Sequence, residues 1–396
     1  MRMSFLSKWA AIGAVIVLVA AQAFAVNYLG RNNYLPEGSD HWTEDWLIRY
    51  FSKRLDKPYK DVALVYEDAE SLQNAGLPAT VPVDRGWMAK LITAVAEQGP
   101  AAIGIDFYYT SAIDPVKDEQ LAAAIRDAKS PIVVAAVKDS FLRTDSQRAY
   151  QRAFIERVKR PAGHIHLGRS KEIFTLGDRA TRNLDHGPLD NGYTSLTSTL
   201  ARLPSAVSLF GAKDIPDGQQ RIDWLLGPKG GGEPFAHYSA HEILSPEGGG
   251  PAADLKNKIV FIGPNFAGMD QLNVPFSVGD EPTVYPGVFI HAQAMAQILD
   301  GRFFLNWSEE QQFLLLLVIG LTGAALAWVS SADIILGIGG TLLIIGLSVP
   351  FFMMHAPLPT ALAILSWALS ISISQRIWSW RESAKRPNDI LSGSRV

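Results

Sequence analysis

DRGWMAKLITAVAEQGPAAIGIDFYY, residues 84–109, encodes a helix, a turn and a buried strand in succession. Trp87, Met88, Leu91, Ile92 and Val95 recur at three-and-four spacing, which places them on one face of a helix. Gly99-Pro100 stops that helix, and Ala101 to Ile105 follows, too short for a helix and apolar on both faces, as an inner strand of a parallel sheet reads. The run ends on Asp106, at the carboxyl end of the strand, where open α/β sheets place their ligand crevices.

Outward from this unit, the spacing predicts strands at Val62–Tyr66, Ile132–Val137, Ile222–Leu226 and Lys258–Gly263, and helices at Thr43–Arg54, Asp118–Lys129 and Gly287–Leu299. Strands alternating with helices of this length predict βαβ crossovers and a mostly parallel sheet. Thr43 is the expected cap of its helix. Between them, Glu67–Leu72 and Pro264–Pro286 read as loops, as do the glycine-rich stretches Gly227–Pro234 and Ser245–Ala253. Residues 138–220 are less regular: Arg143–Arg160 reads as a charged exposed helix, His164–Gly168 as a strand and Ser195–Phe210 as one helix in spite of Pro204.

The two ends of the chain are membrane-like. Trp9 to Leu29 is uncharged and long enough to cross a bilayer at about 1.5 Å per residue. The alternative there is a signal peptide, with Ala23-Phe24-Ala25 as its cleavage site. From Gln311 to Gln375 the one charged side chain is Asp333, and three spans are expected, at about Phe313–Val329, Ile334–Met354 and Leu358–Gln375. Gly320, Gly323, Ala324, Gly337, Gly339, Gly340 and Gly346 are small enough to let these helices approach closely.

Charge orients this arrangement. The net −3 of the chain combines two basic residues before the first span, Asp333, and five basic against two acidic residues after Gln375, which leaves −7 between the first and second spans. Basic flanks place both termini inside and the acidic middle outside. An acidic middle excludes a nucleic-acid binder, and the absence of cysteine excludes disulfides and thiolate metal sites. The expected organisation is an anchor at 1–30, an α/β domain at 31–307, three spans at 308–375 and a basic tail at 376–396.

Five blocks carry a resemblance: VALVYEDAESL (62–72), GPAAIGIDFYY (99–109), DEQLAAAI (118–125), LKNKIVFIGPNFAGMDQ (255–271) and PGVFIHAQAMAQIL (286–299), with Pro82 and Arg85 between the first two. Together they resemble the CHASE2 family, an extracytoplasmic sensory module of bacterial signalling proteins, over about Val62 to Phe304. The resemblance implies an α/β extracytoplasmic domain flanked by one amino-terminal and three carboxyl-terminal transmembrane helices in the inner membrane, its domain periplasmic and its carboxyl terminus cytoplasmic. Family members continue into a kinase or cyclase after the last span. Only 21 residues follow Gln375 here, so the output is expected on a partner chain.

Asp68, Arg85, Asp106, Asp270 and His291 lie in the matched blocks and are the candidate ligand-binding residues. Set against that are an internal Arg85–Asp106 ion pair and a core role for His291. His164 with His166, and His237 with His241, have zinc-compatible spacing but lack an obvious third ligand, so no metal and no cofactor is expected. The expected partners are the lipid bilayer, an output-bearing protein, an unidentified small ligand and a further copy of the chain. The leading reading is a membrane-anchored sensory or regulatory subunit; the alternatives are a scaffold of a cell-envelope complex and an enzyme using Asp106 and Asp270, with no enzyme activity expected.

Overall fold

The computed structural model describes residues 2–31, 41–78, 82–169, 180–229, 232–245, 253–266, 270–276, 284–330 and 332–384. In chain order the elements begin with α1 (Arg2–Arg31), α2 (His41–Phe51), β1 (Tyr59–Asp68), α3 (Ala69–Asn74), α4 (Arg85–Glu97), β2 (Ala102–Ile105), α5 (Pro115–Asp127), β3 (Ile132–Ala136) and α6 (Asp145–Val158). Then come β4 (Ala162–His164), β5 (Leu167–Arg169), β6 (Thr181–Asp185), α7 (Leu196–Ala201), α8 (Pro204–Phe210), β7 (Gln219–Arg221), β8 (Phe235–Ser239) and α9 (Ala240–Leu244). The remainder are β9 (Ile259–Asn265), β10 (Gln271–Asn273), β11 (Val284–Pro286), α10 (Gly287–Asp300), α11 (Glu309–Val329), α12 (Asp333–Met353) and α13 (Thr360–Ala384). The described residues divide into two compact units, one within Ile48–Phe304 and the other formed from residues up to Leu47 and from Leu305 onward.

The Ile48–Phe304 unit is built on a six-stranded parallel sheet of order β4-β3-β2-β9-β1-β8. The expected inner strand is β2, fully buried and paired on both sides. Its feeder, α4, starts where Asp84 accepts the Trp87 amide, 2.9 Å away, and buries Trp87, Met88, Leu91, Ile92 and Val95. Successive strand side chains alternate faces. Ala63, Val65, Ile103, Ile105, Val260 and Ile262 meet residues of α3, α4, α5, α6 and α9 in one core. The opposite face carries α7 and α10. There Gly104 faces Leu200 and Gly263 faces Val288, and a Cβ on Gly263 would stand 2.6 Å from that valine, so both glycines let a helix settle onto the sheet.

Several boundaries move, each for a local reason. The helix expected from Thr43 begins at His41, and Thr43 lies buried within it rather than capping it. Glu67–Leu72 is not a loop: β1 runs through Asp68, whose carboxylate caps α3 by accepting the Ser71 amide at 2.8 Å. Asp114 and Pro115 start α5 three residues early. His164–Gly168 is split between β4 of the main sheet and β5 of a separate three-stranded sheet with β6 and β7. Pro204 divides the helix expected over Ser195–Phe210, because proline fits the first turn of a helix but not its interior. Within Pro264–Pro286, β10 and β11 form an antiparallel pair. Much of Ser245–Ala253 lies outside the described residues.

The expected strand Ile222–Leu226 is an extended segment whose buried backbone is partnered mainly by side chains. Gln293 accepts the Leu225 amide and donates to its carbonyl, both at 2.9 Å. Gln297 does the same for the Asp223 amide and the Arg221 carbonyl, at 3.1 and 2.8 Å. Two glutamines on one helix thus take the place of a neighbouring strand, which satisfies groups that burial would otherwise leave unpaired. They sit on α10, buried over all of Gly287–Leu299 rather than on the single face expected.

In the other unit, four helices are long and apolar enough to cross a membrane: Lys8–Gly30, Glu309–Val329, Asp333–Met353 and Thr360–Glu382. Gly320 packs against Ser366, Ser370 and Val19, and both Gly323 and Gly340 pack on Trp367. A Cβ on Gly337, Gly339 or Gly346 would meet nothing within 4 Å among the described residues, so the close approach expected there is not seen. A serine stripe on α13 adds polar contacts: Ser366 and Ser374 donate to the Leu316 and Ala324 carbonyls, and Ser370 donates to Gln22, all at 2.9 Å. In an apolar surrounding such bonds join helices where the hydrophobic effect cannot.

Candidate functional site at the carboxyl edge of the sheet

Three neighbouring strands end together beside polar residues: β1 on Glu67 and Asp68, β9 on Asn265, and β2 just before Asp106. The chain leaves β1 and β2 toward the α3–α5 face but leaves β9, by way of β10 and β11, toward α10 on the other face. Such a divergence between adjacent strands opens a crevice, and ligands of open α/β sheets bind there.

Asp106, Asp270 and His291 come together beside this divergence. Asp106 Oδ1 lies 3.9 Å from His291 Nε2, while Asp106 Oδ2 and His291 Nδ1 have no hydrogen-bond partner. Burial, and secondarily the charge of Asp270, push the Asp106 carboxyl well above the usual carboxylate range. Burial pulls the His291 imidazole down to about 3. Both shifts disfavour the charged forms, and with the imidazole that low His291 is neutral at neutral pH, so the contact is not an ion pair there. Asp270 has a left-handed backbone, and its carbonyl and carboxylate both accept the Gly287 amide, at 3.1 and 3.2 Å. A Cβ on Gly287 would collide with that carboxylate, so a larger residue there would push the carboxylate off the start of α10.

Arg85 and Asp68 border this cluster but are bound to other partners. Arg85 pairs with Asp118 at 2.5 Å and not with Asp106, as the sequence had offered. It also donates to the Tyr150 hydroxyl at 2.8 Å and the Ser111 carbonyl at 2.5 Å, with its guanidinium 5.3 and 5.6 Å from the ring centres of Tyr109 and Tyr150. Asp68, besides capping α3, accepts the Ser239 hydroxyl at 2.5 Å. Both residues are fully engaged within the domain.

Three features escaped the sequence reading. Glu67 is completely buried with neither oxygen hydrogen-bonded, and burial, aided by Asp68, raises its carboxyl to about 8. Its charge also bears on Tyr109, whose hydroxyl is buried without a partner. The third feature is a cavity of about 560 Å³ whose walls include Arg54, Leu226, Lys229, His237, Phe276 and Tyr285. A carboxylate directly after an apolar strand was a readable signal for Glu67; the cavity draws on segments far apart in sequence and left none.

The histidine pairs have protein partners. His164 Nε2 contacts the Gly187 carbonyl at 2.9 Å, His237 meets Glu233 at 3.3 Å, and His241 meets Ser71 at 3.3 Å. Among the described residues, no group of three or more His, Asp or Glu is placed to hold a metal ion.

Searches of curated proteins and of solved structures returned no match. The family model described as CHASE2 domain matches residues 14–325, more than half of the 396 residues and wider than the blocks that first suggested it. With a parallel α/β sheet inside that range and four helices of membrane-crossing length, the chain belongs to the CHASE2 family of sensory domains and has the make-up of a membrane protein.

Proposed function

We propose that this chain is a membrane-anchored sensory or regulatory subunit. In this reading α1, α11, α12 and α13 cross the inner membrane, the domain within residues 48–304 lies on the outer side, and both termini lie inside. The −7 charge between the first two spans and the basic residues flanking the spans support that orientation. The outer domain takes up a ligand or an envelope protein at the carboxyl edge of its sheet, and a separate partner chain carries the output. Asp106, Asp270 and His291 are the ligand-responsive groups; Arg85 and Asp68 hold the surrounding loops in place.

One observation carries this reading: a sensory-family domain and four membrane-length helices occur in one chain. Signalling then requires that the ligand bind one arrangement of the helices better than another, since equal affinity for both shifts nothing. The physical means is present in the contact between Asp270 and the start of α10, because moving Asp270 changes the anchorage of a helix buried on every side.

Cross-linking the full chain in native membranes, followed by its capture, tests the proposal. A kinase, a cyclase or another output-bearing chain is the expected partner. A stoichiometric assembly of envelope proteins with no such chain would favour the scaffold reading instead.

A further inference from the structure

We propose that the cavity between Arg54, Lys229 and the wall formed by Phe276 and Tyr285 binds a small organic anion with a flat apolar body. Its volume, about 560 Å³, is that of a small-molecule site. Arg54 and Lys229, both exposed at the rim, bring two cations to the lining against the single carboxyl of Glu233, and Arg54 also donates to the Gly227 carbonyl at 3.4 Å. That carboxyl is already engaged: it accepts the Tyr66 hydroxyl at 3.0 Å and lies 3.3 Å from His237 Nδ1. Burial also lifts it above its ordinary range, which disfavours the one negative charge of the wall. A guanidinium fork matches a carboxylate, and the apolar wall beside it offers a surface for the body of the ligand.

The apolar wall is pre-ordered. Tyr285 stacks on buried Phe289 with ring centres 4.0 Å apart, and Phe276 meets both Tyr285 and buried Trp224. The backbone at Leu225, another wall residue, is fixed by Gln293. A flat ring is the shape such a wall accepts at little ordering cost.

The site also connects to the sensory reading, on which this second step rests. Tyr285 pairs with Leu272 across the β10–β11 hairpin, and Asp270, directly before β10, holds Gly287 at the start of α10. An occupant pressing on Tyr285 therefore acts on the hairpin that anchors the helix bearing His291.

The test uses the full chain in lipid nanodiscs and isothermal titration with 2-naphthoate, its uncharged amide 2-naphthamide, and inorganic phosphate, each against empty nanodiscs. The proposal expects 2-naphthoate to saturate near or below about 1 mM, and the amide to bind at least ten-fold more weakly. It also expects the double variant Arg54→Gln/Lys229→Gln to lose ten-fold in naphthoate affinity with an unchanged thermal midpoint. Equal binding of naphthoate and amide, full binding by the double variant, or tighter binding of phosphate than of naphthoate would each overturn it, as would no binding at all. Binding that leaves cross-linking between α1 and α13 unchanged would count against the sensory reading while the site stands.

Discussion

Two buried polar clusters occupy the same domain and differ in one respect. Around Arg85 the charged groups are matched: Asp118, Tyr150 and the Ser111 carbonyl take its donors, and the Ile113 amide satisfies Asp118 from the far side, which leaves only the Tyr109 hydroxyl beside them without a partner among the described residues. Around Asp106 the groups are equally buried but largely unmatched, with Asp106 Oδ2 and His291 Nδ1 left without hydrogen bonds. A matched cluster contributes to stability only as long as it is intact, whereas an unmatched one costs stability and persists where something other than stability retains it. The first cluster is architecture; the second is where a sensory domain has room to respond.

The largest expected effect breaks the matched cluster. Arg85→Ala leaves Asp118 charged and buried, and should lower unfolding stability by about 3–5 kcal/mol, read by denaturant titration of the full chain. Replacing both partners, as Arg85→Met with Asp118→Leu, should recover much of that loss. If Arg85→Ala unfolds at the parent's midpoint, the distinction drawn between the clusters is lost.

Next in size is a pH effect from the unmatched groups. Glu67 has a folded value raised to about 8, so its contribution is full at low pH and is lost as pH rises toward that value. His186 and His291, lowered to about 4 and about 3, act oppositely: their contribution is present above the ordinary histidine range and is lost as pH falls below it. Above the ordinary histidine range the raised carboxyls of Glu67 and Asp106 dominate, so stability should fall by about 2 kcal/mol or more between pH 6.5 and 8. Thermal midpoints across that range measure this, and Glu67→Gln should flatten the alkaline limb. A rise in stability from pH 6.5 to 8 would refute the assignment.

Gln293→Leu should cost about 1–3 kcal/mol by stranding the Leu225 amide and carbonyl, and hydrogen exchange at Leu225 should quicken. Asp106→Asn acts in the other direction: burial disfavours the charged form of Asp106 and asparagine is always neutral, so its unfolding midpoint should lie at or above the parent's. A loss rivalling that of Arg85→Ala would move Asp106 into the architecture.

How much of this was legible in the sequence follows from range. The helix and strand of residues 84–109 were readable because their signals, apolar spacing and Gly99-Pro100, are local. Asp106 was placed correctly at a strand end for the same reason. The partner of Arg85 was misjudged because Asp118 lies on another helix and nothing in spacing selects it over Asp106. The segment 222–226 reads as a strand by composition, and only the distant glutamines Gln293 and Gln297 show that it pairs with side chains. The cavity could not be read at all, since α2, the approach to β8 and the β10–β11 region meet only in the folded chain.

The central claim, a sensory domain outside the cell membrane with its output partner inside, is tested most directly by cysteine labelling, for which a chain without native cysteine is well suited. Single variants Glu97→Cys in the domain and Ser392→Cys in the tail would be exposed to a membrane-impermeant maleimide in intact cells and after permeabilisation. The account predicts that position 97 labels in intact cells and position 392 only once the membrane is opened. Labelling of position 392 in intact cells, or protection of position 97 until lysis, would contradict it.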